Sequence, residues 1–189
     1  IDNPLNPTKG SRQALGFEYA GVGGDQKYIL GTANSTLYQP LVDFESGPLV
    51  FSMRNRLSYG QSQNDDPFPL FQRFFPGGID SVRGFQNRTL GPIDANGREF
   101  GGSKEFVSNF EMIFPLVSSA GLRGVVFYDV GQAFDDDQSI NLGALRKAYG
   151  FGLRWFSPMG PIRIEFGIPV AKKEGEDSLV TQFSFGAPL

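Results

Sequence analysis

This sequence of 189 residues predicts an all-β fold, an antiparallel meander of strands forming a transmembrane β-barrel. Three observations carry that expectation. Apolar and polar residues alternate with period 2 in one stretch after another, while helical periodicity is nearly absent. Glycines and arginines recur on the faces opposite the apolar residues. The stretches are joined alternately by short turns and by longer polar connections, the asymmetry of an outer-membrane barrel.

Eight strands follow in order. Over 11–20, Leu15, Phe17 and Tyr19 oppose Arg12, Gly16 and Glu18. The stretch 27–39 mixes small and polar residues on both faces and is the least patterned. Over 49–60, Phe51, Met53, Leu57 and Tyr59 oppose Ser52, Arg54, Arg56 and Ser58. Over 105–114, Phe106, Phe110, Met112 and Phe114 oppose Glu105, Val107, Asn109 and Glu111. Over 122–134, Leu122, Val126, Tyr128, Val130 and Phe134 oppose Arg123, Phe127, Asp129 and Gly131. Over 145–156, Tyr149, Phe151, Leu153 and Trp155 oppose Arg146, Ala148, Gly150, Gly152 and Arg154. The alternation is clearest over 162–170, where Ile162, Ile164, Phe166, Ile168 and Val170 oppose Arg163, Glu165 and Gly167. The last strand, 179–189, gathers Thr181, Phe183, Phe185, Ala187 and Leu189 on one face.

The short connections are Pro40 to Pro48, Pro115 to Gly121 and Ser157 to Pro161. The long ones are Gly21 to Gln26, Gln61 to Ser103, Asp135 to Gly143 and Ala171 to Asp177. A soluble sandwich or lipocalin-like barrel would turn its apolar face inward. Glycine with arginine would not line the opposite face of such a fold so consistently. No apolar run approaches the ~20 residues of a spanning helix. The mean hydropathy of −0.21 fits a barrel, in which lipid-facing and lumen-facing residues average out.

Composition removes several functions. With no Cys and no His, zinc sites, thiolate catalysis and an imidazole base are excluded. No paired carboxylates sit in glycosidase-like surroundings, so no enzyme and no cofactor is expected. A net charge of −3 gives a nucleic-acid partner little support. Gly21-Val22-Gly23-Gly24 lacks the following helix and Lys-Ser/Thr pair of a phosphate loop. Asp135-Asp136-Asp137 lacks the spaced ligands of a calcium loop and reads as a solvated acidic loop. The chain opens abruptly in Asp2 to Pro7 without a signal peptide, which reads as a piece lacking its N-terminal part.

The region 61–103 is long for a compact domain, and such loops usually carry function. Within it runs Phe74-Phe75-Pro76-Gly77-Gly78-Ile79-Asp80-Ser81-Val82-Arg83-Gly84-Phe85. So much irregular chain needs specific contacts to hold one conformation. Arg83 offers a planar fork suited to carboxylates. Glu111 and Asp129 stand mid-strand, where a charge facing lipid is expensive. The simplest arrangement folds the loop into the lumen and pairs Arg83 with both; the alternative is three independent hydrated charges. Gly77, Gly78 and Gly84 permit positive φ or close backbone approach, or are ordinary loop glycines. Arg54, Arg56, Arg146, Arg154 and Arg163 read as solvation of a wide lumen. An eight-stranded barrel is filled by its own side chains and could not also hold this loop. Eight strands therefore look like half of a sixteen-stranded barrel.

With its flanks Pro67-Phe68-Pro69-Leu70-Phe71 and Gln86-Asn87-Arg88-Thr89-Leu90-Gly91-Pro92, this loop resembles the conserved loop of the Omp85 superfamily, outer-membrane proteins that insert or translocate other proteins. The turns Asn3-Pro4-Leu5-Asn6-Pro7 and Phe156-Ser157-Pro158-Met159-Gly160-Pro161 look like periplasmic turns of its barrel-assembly branch. The resemblance runs end to end and implies that residues 1–189 are the C-terminal eight strands of the barrel, with 61–103 an extracellular loop folded into the lumen. It implies the Arg83 contact with Glu111 and Asp129, Phe127 beside it, and a loop motif of Gly77, Gly78, Val82, Gly84 and Phe85. It implies that 179–189 is a C-terminal β-signal forming one side of a lateral seam, with Phe183, Phe185, Gly186 and Leu189; the chain closes on Leu189 where the family closes on an aromatic. It further implies nascent β-barrel proteins and outer-membrane lipid as partners, and accessory lipoproteins reached through a POTRA region absent from this chain. A bacterial outer membrane makes glycosylation at Asn34-Ser35-Thr36 or Asn87-Arg88-Thr89 unexpected. The functions left open are a general insertase, a secretion pore for one dedicated substrate and, more remotely, a passive porin or adhesin barrel.

Overall fold

The structure is a computed structural model that describes residues 1–4, 6–23, 26–64 and 66–186. Eight antiparallel strands form one sheet in sequence order: β1 (Gly10–Ala20), β2 (Tyr28–Phe44), β3 (Gly47–Ser62), β4 (Lys104–Val117), β5 (Leu122–Phe134), β6 (Arg146–Ser157), β7 (Gly160–Pro169) and β8 (Val180–Phe185). The sheet is open: β1 pairs only with β2 and β8 only with β7 among the described residues, so the molecule is a partial barrel. No helix among the described residues is long and apolar enough to cross a membrane, a test that does not bear on crossing by strands.

All eight predicted strands are present, and several run longer than the sequence suggests. Pro40 and Pro115 read as strand ends, yet β2 continues to Phe44 and β4 to Val117. Both prolines sit where the register shifts, between Pro40 and Val42 and between Pro115 and Val117. A bulge releases the ladder position that proline cannot fill. The turns shrink accordingly, to Glu45-Ser46 and Pro158-Met159, with a single 3-10 turn at Ser118–Ala120 closed by Gly121. β8 is shorter than predicted, ending at Phe185; Leu189 and its two preceding residues lie outside the described residues.

Period-2 alternation turns into two chemically distinct faces. Tyr149, Phe151, Leu153, Trp155, Ile164, Phe183 and Phe185 are exposed on the convex face, while Gly150, Gly152, Arg154, Arg163, Glu165 and Gly167 are buried on the concave one. A soluble protein buries its apolar residues, so burial of the charged face marks a lumen. Phe134, expected on the outward face, is buried at the loop end of β5.

What covers the concave face is the chain between β3 and β4. Val82, Phe85 and Leu90 of this loop cluster with Val107 and Ala148 of the sheet. Near its base Phe68 packs with Tyr28 and Leu30. At the turn end Tyr38, Val50, Ile113 and Val125, on the neighbouring strands β2 to β5, form a further buried cluster. β1 is exposed along almost its whole length on both faces, and the loop touches it near its end, where Gln72 donates to Glu18 at 3.1 Å.

Candidate functional site

Strand register builds the floor of the site. Across β4, β5, β6 and β7 it aligns Glu111, Phe127, Gly150 and Gly167 in one row. A Cβ on Gly150 would strike the Phe127 ring, so glycine there lets the ring lie on the sheet. The next row aligns Asn109, Asp129 and Ala148. Arg154 and Arg163 face each other directly, a like-charge pair that needs carboxylates nearby.

The loop tip descends onto this floor. Gly77, Gly78 and Gly84 have φ of 112°, 103° and 84°, the left-handed region that other residues reach at a cost. Ser81 stitches the turn, its hydroxyl accepting from Gly77 N–H at 2.8 Å and its N–H donating to the Gly78 carbonyl at 3.1 Å. Asn109 of β4 donates to the Ser81 carbonyl at 2.6 Å.

Arg83 then enters the lumen and is 1% exposed. Its Nε and Nη2 donate to the two Asp129 oxygens, each at 2.7 Å, and its backbone N–H reaches Asp129 Oδ2 at 2.9 Å. Nη1 lies 2.7 Å from Glu111 Oε1 and 2.9 Å from Glu165 Oε2. The guanidinium sits 3.6 Å above the centre of the Phe127 ring. This planar, forked and stacked geometry is specific to arginine.

The network extends beyond Arg83. Arg154 grips Glu111 with both terminal nitrogens at 2.7 and 2.9 Å and donates from Nε to Glu165 Oε1 at 2.9 Å. Arg163 donates to Glu165 at 3.2 and 3.3 Å and reaches back to the loop, at the Ile79 carbonyl (3.0 Å) and Asp80 (3.2 Å). Three buried arginines thus face three buried carboxylates, and Glu165 contacts all three cations. Removing one member leaves a buried charge uncompensated, which is where the energetic leverage of such a cluster lies.

Arg83, Glu111, Asp129 and Phe127, the anchoring set expected from the sequence, come together in the structure. Arg154 and Arg163, expected only to solvate a wide lumen, are instead buried members of the network. Arg54 and Arg56 do remain partly exposed, with Arg56 paired to Glu105 at 2.8 Å. Glu165 is the member that the sequence pattern alone does not single out, although it satisfies the same condition as Glu111 and Asp129: a carboxylate mid-strand on the glycine–arginine face.

A second anchor holds the loop base. Buried Arg73 donates to the Phe68 and Gly101 carbonyls at 3.1 Å each, and to Asp135 and Asp136 at 2.8 and 3.1 Å. It stacks on Phe100 at 4.1 Å. The acidic run therefore serves as an arginine clamp, where the sequence suggested mere solvation. Lys104 caps the same segment, donating to the carbonyls of Asp135, Asp136 and Gln138. Nothing in the sequence distinguished Arg73, because its carboxylate partners lie 62 and 63 residues away in a different connection.

At the other flank the tip meets the end of the chain. Arg146 lies 4.7 Å from the Phe85 ring centre and forks onto Glu176 at 2.7 and 2.9 Å. Those bonds hold the Glu176 carboxyl below its ordinary range. Gln86 donates to Asp177 at 3.0 Å, and Gln182 of β8 donates to the Phe85 carbonyl at 2.9 Å. On β8, Phe183 and Phe185 are exposed outward, and Gly186 has φ 73° while its N–H still donates to the Pro161 carbonyl at 2.9 Å. Among the described residues no group of carboxylates is placed to hold a metal ion.

A family model described as the Omp85 superfamily domain matches residues 1–188. The chain is 33% identical to the outer membrane protein assembly factor BamA of Nitratidesulfovibrio vulgaris, over 93% of this chain and 22% of that protein. It is 29% identical to the protein of the same name from Neisseria meningitidis, over 98% of this chain and 27% of that protein. The chain therefore spans about a quarter of the length of these relatives. In fold it is similar to the crystal structure of BamA from Haemophilus ducreyi lacking POTRA domains 1-3, with a TM-score of 0.81 at 22% identity, covering 97% of this chain and 40% of that one.

Proposed function

The chain belongs to the Omp85 superfamily, and from that membership we propose that it forms the C-terminal part of the barrel of a protein that folds and inserts β-barrel proteins into the outer membrane. What carries the reading is the similarity to assembly factors over nearly the entire chain. Its membrane is the bacterial outer membrane, and its substrates are nascent outer-membrane proteins. Accessory lipoproteins engage through a POTRA region outside these residues.

No covalent chemistry is involved in this reading. A nascent strand brings unpaired backbone groups that hydrocarbon cannot satisfy. A sheet edge offers the complementary row of donors and acceptors. The outer edge of β8 is such a row, with Phe183 and Phe185 facing lipid and Gly186 turning the backbone out of extended geometry. The Arg83 network holds the loop inside the lumen, keeping the wall beside this edge fixed while the edge is exchanged.

The test is depletion of the full-length protein in its own cells, followed by measurement of the folded levels of several unrelated outer-membrane proteins. A broad fall is expected. Loss of one secreted protein, with the others intact, reassigns the chain to a dedicated secretion pore of the same superfamily.

A further inference from the structure

The Arg83 network ends at β7. Its members lie on the loop and on β4, β5, β6 and β7, and none on β8. β8 is also the least supported strand: it pairs with β7 over six residues, Val180 to Phe185, whereas β6 and β7 pair over ten. Among the described residues one hydrogen bond joins β8 to the loop: the Gln182 amide donates to the Phe85 carbonyl. Because the partner is a carbonyl, the amide nitrogen must face it. The Gln182 oxygen is then buried without a hydrogen-bond partner. Leaving an acceptor unpaired is a cost that packing alone does not require, since an apolar residue of the same length would avoid it.

We propose that Gln182 is a positioning residue that ties the last strand to the loop tip, so that the state of the seam edge and the seating of the loop are coupled through the Phe85 carbonyl. The inference rests on the proposed role of β8 as a seam strand. The neighbouring contacts are consistent with this coupling: Asp177 takes Gln86, and Arg146 bridges the Phe85 ring to Glu176, so the connection entering β8 is tied to the same tip. The bonds made by Gln182 and Gln86 are single polar contacts of the kind that can break and re-form without unfolding the wall.

Hydrogen exchange of the full-length protein in lipid nanodiscs tests this. Gln182→Met keeps the side-chain length and removes the donor; Gln182→Glu keeps the shape and replaces the donor with an acceptor. Both are expected to speed exchange across residues 180–186 on the order of fivefold, the scale of one lost hydrogen bond. Exchange across β5 should not change. Ser184→Ala, on the same face and without a hydrogen bond to the loop among the described residues, should leave both regions as they were. Unchanged exchange in β8 overturns the proposal. So does an equal rise in β5, which would mean general loosening, or failure of both Gln182 variants to fold, which would make the bond a requirement of the fold. Because exchange is read on the purified protein, a negative depletion experiment would remove the insertase reading without touching this result.

Discussion

Gly84 and Gly167 meet main chain to main chain: a Cβ on Gly167 would fall on the Gly84 nitrogen, and one on Gly84 would stand 2.9 Å from Ala148 Cβ and 3.1 Å from the Gly167 carbonyl carbon. The loop tip therefore rests directly on the backbone of the penultimate strand, and Arg83 is aimed by that contact.

Gly84→Ala should lift the tip. The φ of 84° and the backbone neighbour both oppose a side chain. Limited proteolysis of the full-length protein should show new cleavage within 63–103. A second change, Ala148→Gly, relieves the nearest atom only and should not restore protection; if it does, the steric account is wrong.

Arg83→Ala leaves Asp129 and Glu111 short of a buried partner and should destabilise the folded barrel by about 3–5 kcal/mol. Arg83→Lys keeps the charge but loses the fork to Asp129 and the stacking on Phe127, so it should recover only part of this. Denaturant unfolding in detergent or lipid measures both. Equal stability of the lysine variant and the natural protein would show that charge alone suffices.

Glu165→Gln should rank with Arg83→Ala, because three arginines lose a common counter-charge. Asp80 also pairs with Arg163, yet its side chain is 76% exposed, so Asp80→Asn should cost under about 1 kcal/mol. The same unfolding experiment ranks them, and a reversed order would refute the assignment of Glu165 as the hub.

Arg73→Ala should open the loop base and leave the tip seated. Cleavage is expected near 63–73, while the amides around Arg83 keep their exchange protection. Simultaneous loss of protection at the tip would mean that the two anchors act as one.

The Glu176 contact should respond to acid. Its folded pKa is depressed below the ordinary 4.5, chiefly by the hydrogen bonds from Arg146. The contribution is therefore complete above the ordinary value and disappears as pH falls through the depressed one. Exchange across 171–178 should rise beyond the intrinsic pH trend on acidification below about pH 4, a range set by the ordinary carboxyl pKa. Glu176→Gln should show the faster exchange already at neutral pH and no such step. An identical step in that variant would place the titrating group elsewhere.

How much of this was visible in the sequence follows from the range of the interactions. The strands, their faces and the alternation of connections were legible because period 2 is a local signal: Ile164 and Glu165 declare opposite faces by adjacency alone. Asp129 and Glu111 were legible because a mid-strand carboxylate is costly unless it faces a lumen. The extension of β2 past Pro40 was not, because the bulge that tolerates the proline depends on how the neighbouring strand is registered. Arg73 was hidden for a related reason: Asp135 and Asp136 become its partners only when the end of β5 lies beside the base of the loop. Arg154 and Arg163 were placed on the correct face and given too small a role, since a partner such as Glu165 is assigned by register between strands and not by spacing along one.

The burial of Arg83 also sets an order on how this barrel can form. Its carboxylates come from β4, β5 and β7, and the last of them, Glu165, follows it by 82 residues in the chain. Contacts so distant in sequence close late, because the intervening chain must first be ordered. The loop cannot lock until β7 is in register with β6. The arginine cluster is thus a registration signal: its closure reports that β4 to β7 stand in their mutual register.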